Sequence, residues 1–405
     1  MRVKLAGALS IAVLLAACGS DDNNPTPATP AAPAAAAAPQ LLFAQTNDAT
    51  NQLLVFTRNA DGTLASRGNI PTGGKGTNGL NYFAGNTVSP DALTSNNSVI
   101  VTPDKTRLFV ANAGDNTVSA FALATNGTLT LLAVSPTNGV RPTSLAWQNG
   151  VLYVTHQQGA QELGAYRVDA TSGKLTQIGQ STVVQQDALP TEVSISPDGK
   201  FVIVNGFLKT VTPAIQPANQ LLAYPINSDG TLGAVVTTAS AGVGPFGGRF
   251  ANGALSNTYV VTEAAGTTAS TYAFASSGAF SVVSGPVTVT GQSAPCWVAI
   301  TPDNRFAYVS SGSGVVSLFT LDATGHLTLT NVNAATEAAT QPAASASSFA
   351  ADSWISPDGK FLYQDYSGDD KIVSYSIGSN GALTKLGEQP ANTVSKISLQ
   401  GLTGT

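Results

Sequence analysis

Acid–base chemistry in this chain would have to be carried by very few groups. There are two histidines, His156 and His326, and two cysteines, Cys18 and Cys296, against 23 Asp and Glu residues. So small a set of imidazoles and thiols cannot build a transition-metal site of the usual type. A Gly-x-Ser-x-Gly elbow, which would expose an activated serine, is also missing from the sequence. What is left is an imidazole working with a carboxylate: His156 as general base, with Glu263 or Glu192 orienting it. For ligand contact the candidates are the carboxylates Glu192 and Asp352, the hydroxyl of Ser144 and the indole of Trp297. Each has a plainer alternative: His156 bonded to a neighbouring loop, Glu192 and Asp352 as solvated channel carboxylates, Trp297 packed between repeats. His326 falls in a tight turn and reads as a surface residue.

These residues become candidates because of the repeat that carries them. A polar residue followed by Gly and, two positions on, an apolar residue recurs seven times: Asp61-Gly62-Thr63-Leu64, Asn126-Gly127-Thr128-Leu129, Ser172-Gly173-Lys174-Leu175, Asp229-Gly230-Thr231-Leu232, Ser277-Gly278-Ala279-Phe280, Thr324-Gly325-His326-Leu327 and Asn380-Gly381-Ala382-Leu383. Gly supplies the positive φ of a tight β-turn, and the apolar residue opens the next strand. A second turn, Ser/Thr-Pro-Asp, recurs at Thr102, Ser196, Thr301 and Ser356, each time between runs of β-branched and aromatic residues. Four short strands per repeat, with no helical periodicity, predict an all-β seven-bladed propeller of four-stranded antiparallel blades over residues 41–405. Blade one lacks its own innermost strand, since Leu41-Leu42-Phe43 already reads as a second strand. The C-terminus is expected to supply it from about Val394 to Leu399, closing the ring and leaving no open edge.

Both kinds of tight turn share one face, so the long connections, Gly73 to Asn97, Gly206 to Asn219 and Asn333 to Phe349, must lie on the other. Long insertions on one face of a repeat protein mark a binding side. The starts of the innermost strands there form a column, Ser98, Ser144, Glu192, Gly247, Trp297 and Asp352, around a shallow, mildly acidic funnel. The ends of the second strands give Asn112, His156, Gly206, Glu263, Ser311 and Tyr366. With its carboxylates on different blades, the funnel is not expected to hold a metal, and no cofactor is expected.

The Ser-Pro-Asp-Gly-Lys-Phe turns, Arg107-Leu108-Phe109-Val110-Ala111-Asn112 and Pro295-Cys296-Trp297-Val298-Ala299-Ile300-Thr301-Pro302-Asp303 resemble the lactonase-type seven-bladed propellers, which include 6-phosphogluconolactonases and carboxymuconate-lactonising enzymes. The resemblance implies a Pro-Arg-His segment opening a blade and a Glu closing that blade's second strand. Blade five instead reads Gly244-Pro245-Phe246-Gly247-Gly248-Arg249, with Phe246 and Gly247 at the Arg and His positions, while Glu263 matches. Without that Arg the cation for a phosphate or carboxylate substrate is missing, and without that His the general acid or base is missing.

At the other end, Arg2, Lys4 and the apolar run Leu5 to Leu14 read as a secretory signal, residues 1–17. Leu15-Ala16-Ala17-Cys18 resembles the bacterial lipobox, which implies lipidation at Cys18. Residues 18–40, rich in Ala, Pro and Thr, read as a tether unable to offset its own ordering entropy. Gly19 lacks the carboxylate that in enteric bacteria retains a lipoprotein at the inner membrane, so outer-membrane attachment is expected. Cys296 then has no disulfide partner and reads as a buried apolar residue. The net charge of −5 argues against nucleic acid as a partner. The expectation is a monomeric, lipid-anchored propeller in the cell envelope, binding or scaffolding a small molecule, glycan or envelope protein. The alternative is a lactonase-like hydrolase of cyclic esters.

Overall fold

The computed structural model describes residues 38–341 and 344–405. The signal segment, Cys18 and the tether up to residue 37 lie outside them. The described residues form seven four-stranded antiparallel sheets and one two-stranded hairpin within the first long loop. Blade five is typical: Pro245–Phe250 lies innermost, followed outward by Thr258–Glu263, Thr268–Phe274 and Phe280–Thr288. Strands near the axis read as largely buried runs, whereas the outermost are mostly exposed or half-buried; Leu64–Pro71 is buried only at Leu64. The core is a set of apolar layers between adjacent blades, such as Tyr259, Val261, Tyr272 and Phe280 of blade five against Phe201, Ile203 and Leu221 of blade four.

The recurrent turns have two jobs. In each Ser/Thr-Pro-Asp turn the aspartate Oδ1 accepts the hydroxyl two residues before it, at 2.6 Å for Thr301–Asp303 and for Ser356–Asp358, and caps the backbone that follows. The Gly hairpins also tie blades together. Tyr153 Oη donates to the Gly230 carbonyl at 2.9 Å, Thr271 Oγ1 to that of Gly325 at 2.7 Å and Tyr308 Oη to that of Gly381 at 2.8 Å. A turn that looks local in sequence is therefore an inter-blade clamp.

Two expectations are corrected. The closing strand is Gln400–Gly404, not residues 394–399, and pairs with Leu41–Gln45 in register Leu42 to Gly404 and Phe43 to Thr403. The Arg58 guanidinium, stacked 4.8 Å from Trp354, donates to the Thr405 carbonyl at 2.9 Å and holds that strand down. Gly206 to Asn219 is also not a free loop. Strands Phe201–Thr210 and Gln216–Pro225 continue through it as an extended hairpin, with Leu208 opposite Pro217. Its β-branched and apolar residues, Phe207, Leu208, Thr210 and Val211, suit a pleated surface, and the wall this ribbon forms shapes the site below.

Candidate functional site

Four of the sequence candidates meet at the channel mouth on the loop-rich face: Glu192, Asp352, Ser144 and Trp297. The mouth is not an open funnel. The end of the first long loop, Asp91 to Asn97, lies across it and is bonded to three blades. Asn96 N donates to the Thr191 carbonyl at 2.8 Å, Ser95 Oγ to that of Thr143 at 3.0 Å, and Trp297 Nε1 to that of Ser95 at 3.3 Å. Leu145 N in turn donates to the Asn97 carbonyl at 3.0 Å. The column of strand starts offers unpaired carbonyls around a polar opening, and a loop with its own amides satisfies them.

Beneath this plug Glu192 is 1% exposed. Its Oε2 accepts Gly248 N at 2.5 Å and its Oε1 accepts Asn97 Nδ2 at 3.4 Å. Burial pushes its pKa up to about 7, against the pull of Arg249 and of the Gly248 N–H. Asp352 is likewise raised to about 7 by burial, although Gly401 N donates to its Oδ2 at 3.1 Å. Ser144 Oγ accepts Val193 N at 3.0 Å, and Trp297 is enclosed.

His156 and Glu263 are placed apart from this centre. Second strands sit one layer out from the axis, and their end residues turn toward neighbouring loops. His156 is fully buried in blade three, against Gly139; neither ring nitrogen has a hydrogen-bond partner among the described residues, and burial pushes its pKa down to about 3. Glu263 is also fully buried, and both its oxygens are engaged within the blade. Its Oε2 accepts Thr268 Oγ1 at 2.6 Å, while its Oε1 accepts Gly242 N at 3.0 Å and Tyr272 Oη at 3.1 Å. His326 lies in its exposed hairpin, 2.9 Å from Thr324 Oγ1.

Beside the plug lies a cavity of about 350 Å³ that the sequence reading missed. All three long connections build it, each contributing a phenylalanine: Phe83, Phe207 and Phe349. Phe246 of blade five joins them, so the residue at the resemblance's Arg position forms part of its wall. Successive edge-to-face contacts link Phe83 to Phe207 at 5.8 Å, Phe207 to Phe246 at 5.5 Å, Phe246 to Trp297 at 5.3 Å and Trp297 to Phe349 at 6.0 Å. Ala264, Ala265, Ala294, Pro90 and Cys296 complete most of the apolar lining, and Ala84 and Ala265 are exposed at the rim. Asp91 is its one ionisable carboxyl, 4% exposed, with an Oδ1 that has no hydrogen-bond partner among the described residues. The resemblance's His position has no room for a side chain, because a Cβ on Gly247 would collide with the Cys296 carbonyl oxygen. The site therefore lacks the cation for a phosphorylated sugar acid and offers an apolar chamber. One phenylalanine in each long connection was the available sequence signal. Asp91, between Pro90 and Ala92, carried none.

Among the described residues no three His, Cys, Asp or Glu side chains converge as a metal centre would require. None of the curated proteins matches the chain in sequence. Several solved structures match its fold. A putative 6-phosphogluconolactonase from Bacteroides fragilis superposes with a TM-score of 0.64 at 17% identity, covering 92% of this chain and 100% of its own. A second, from Bacteroides uniformis, gives 0.65 at 16%, covering 90% and 99%. The periplasmic gluconolactonase of Pseudomonas aeruginosa gives 0.67 at 16%, covering 90% and 98%. The sequence model of the family described as Lactonase, 7-bladed beta-propeller matches residues 40–189 and 256–395, well over half of the chain, and passes over the interval that holds Glu192, Phe246 and Arg249. With that match and this architecture, the chain belongs to the lactonase family of seven-bladed β-propellers.

Proposed function

We propose that the protein binds a small, mainly apolar molecule on its loop-rich face. The observation that carries this reading is the convergence of three otherwise unrelated loops, each with one phenylalanine, on a single chamber. Its volume is at the lower end of the range for small-molecule sites, and a few polar groups in an apolar wall is their usual composition. The test is a titration with the neutral, apolar fluorophore N-phenyl-1-naphthylamine. Saturable binding that Ala265→Trp removes, with an unchanged melting temperature, supports the pocket; binding that survives this block at the rim overturns it.

Family membership favours a second reading, hydrolysis of a lactone with an apolar substituent. In the chamber Asp91 is the one carboxyl that could exchange a proton with such a substrate, since His156 and Glu263 lie elsewhere and burial pushes the Cys296 thiol up. Turnover of an alkyl-substituted lactone that Asp91→Asn abolishes supports it; a flat panel leaves binding alone.

Where the protein works is part of the same proposal. The signal-like first 17 residues and Cys18 argue for export and lipid anchoring at the outer membrane, and one fold relative is named as periplasmic. Metabolic labelling with an alkyne fatty acid is expected to mark the full chain and not its Cys18→Ala variant; label in both rules the anchor out.

A further inference from the structure

We infer that the occupant of the Phe-lined pocket carries a positive charge: a small hydrophobic ammonium, with Asp91 as its counter-ion. This rests on the reading of the pocket as a small-molecule site and adds the charge of what it takes.

Asp91 is positioned through its backbone carbonyl, and the Ser95 and Thr94 backbone N–H groups also reach its carboxyl. Its carbonyl accepts Asn81 Nδ2 at 2.7 Å and Thr94 N at 2.9 Å, and its φ of 49° is in the left-handed region. The side chain is thereby held in the cavity wall with Oδ1 unpartnered, an arrangement that costs free energy until something donates to it. No Lys, Arg or His lines the cavity. The ionisable groups facing Asp91 from the elements packed against it are all acids: Cys296 on blade six, and Asp352 and Asp365 on blade seven. Asp365 adds a second fully buried carboxyl, with neither oxygen partnered among the described residues. The remaining walls are phenyl rings, whose faces attract cations. An anion would find no cation here and a neutral apolar molecule would leave Oδ1 unpaired. A cation with an apolar body meets both walls.

The backbone supports a site at this position. Among the described residues six that are not Gly, Asn, Asp or Lys have a left-handed φ: Thr94, Arg141, Val184, Thr267, Ala294 and Phe349. Three of the six, Thr94, Ala294 and Phe349, line this one cavity. Such conformations are costly for residues with a Cβ and collect where geometry serves function.

Binding is then coupled to a proton. In the free protein burial holds the Asp91 carboxyl well above the ordinary carboxylate range, which favours its protonated form. An ammonium entering the pocket releases that proton to solvent and leaves a carboxylate–ammonium pair.

The test uses calorimetry on the propeller with three probes of one shape: 3-phenylpropylammonium, 3-phenylpropanol and 3-phenylpropanoate. The ammonium is expected to bind at least about tenfold more tightly than the alcohol, the scale of a charge-assisted hydrogen bond, and the carboxylate least. Its heat should shift between buffers of different ionisation enthalpy by the amount expected for one released proton, which checks the proposal without a mutation. Asp91→Asn, a residue that tolerates the left-handed backbone, should remove the ammonium's advantage over the alcohol. Alcohol binding equal to or better than the ammonium's, or an advantage that survives Asp91→Asn, overturns the charge assignment while the apolar pocket stands. If neither ammonium nor alcohol binds, both readings fall.

Discussion

The channel mouth and the chamber beside it are built by the same loop, on the same face, and have opposite characters. At the mouth, Ser95 to Asn97 spend the Asn96 amide, the Ser95 hydroxyl and the Asn97 side chain on blade carbonyls, and Glu192 and Asp352 are enclosed beneath them with donors in place. A few residues earlier the same loop sends Phe83 and Pro90 into a cavity whose single carboxyl keeps a free oxygen. A buried polar group with its partners in place holds the fold together, and one left without them is where a ligand has something to add. Polarity alone, which drew attention to Glu192 and Asp352 in the sequence, points to the structural region of this pair.

That contrast can be broken by a pair of substitutions. Glu192→Ala removes the acceptor for Gly248 N and Asn97 Nδ2 in a site without water access, and is expected to cost about 3 kcal/mol in urea unfolding, within the range for orphaned buried donors and a cavity. Phe83→Ala, at a half-buried position, should cost less than about 1 kcal/mol while weakening N-phenyl-1-naphthylamine roughly tenfold, the loss expected for part of a phenyl contact. Equal stability losses in the two variants would erase the distinction between a structural mouth and a binding chamber.

A smaller effect sharpens the electrostatic side. Glu192 and Asp352 have folded pKa values raised by burial to about 7, from ordinary values of 4.5 and 3.8. A raised carboxyl favours the fold fully below its unfolded value, and that contribution is lost as pH rises through about 7. Asp370, raised to about 6, acts in the same direction. Glu337 and Glu388, held low by their hydrogen bonds and charge pairing with Lys371 and Lys385, act oppositely and lose their contribution as pH falls. The total slope mixes these, but the difference between the wild type and Glu192→Gln isolates one group. Between pH 5 and 8 the wild type should lose melting temperature relative to the variant by a few degrees; parallel curves would mean that Glu192 keeps its charge in the fold.

Legibility in the sequence followed the range of the interaction. The Gly hairpins and Ser/Thr-Pro-Asp turns are set by φ preferences and by side chains bonding two residues away, so they could be read directly, and with them the number of blades. The closing strand was misplaced because Val394 to Leu399 and Gln400 to Gly404 have comparable local character. What separates them is pairing with Leu41–Gln45 and the hold of Arg58 on Thr405, contacts across nearly the whole chain. His156 and Glu263 were singled out by type and blade position. Their surroundings, a crowded glycine for one and a threonine–tyrosine pair for the other, come from strands whose packing no spacing reveals.

The sequence by itself determined the seven-fold β repeat, the face that carries the long connections and the loss of the Arg and His expected at blade five, because each follows from local backbone chemistry or from residue identity. Only the tertiary structure decided that the funnel is plugged, that three separate phenylalanines meet in one chamber and that Asp91 rather than Glu192 keeps an unpaired oxygen. Those outcomes depend on which buried groups find partners, and such partners come from blades distant in the chain.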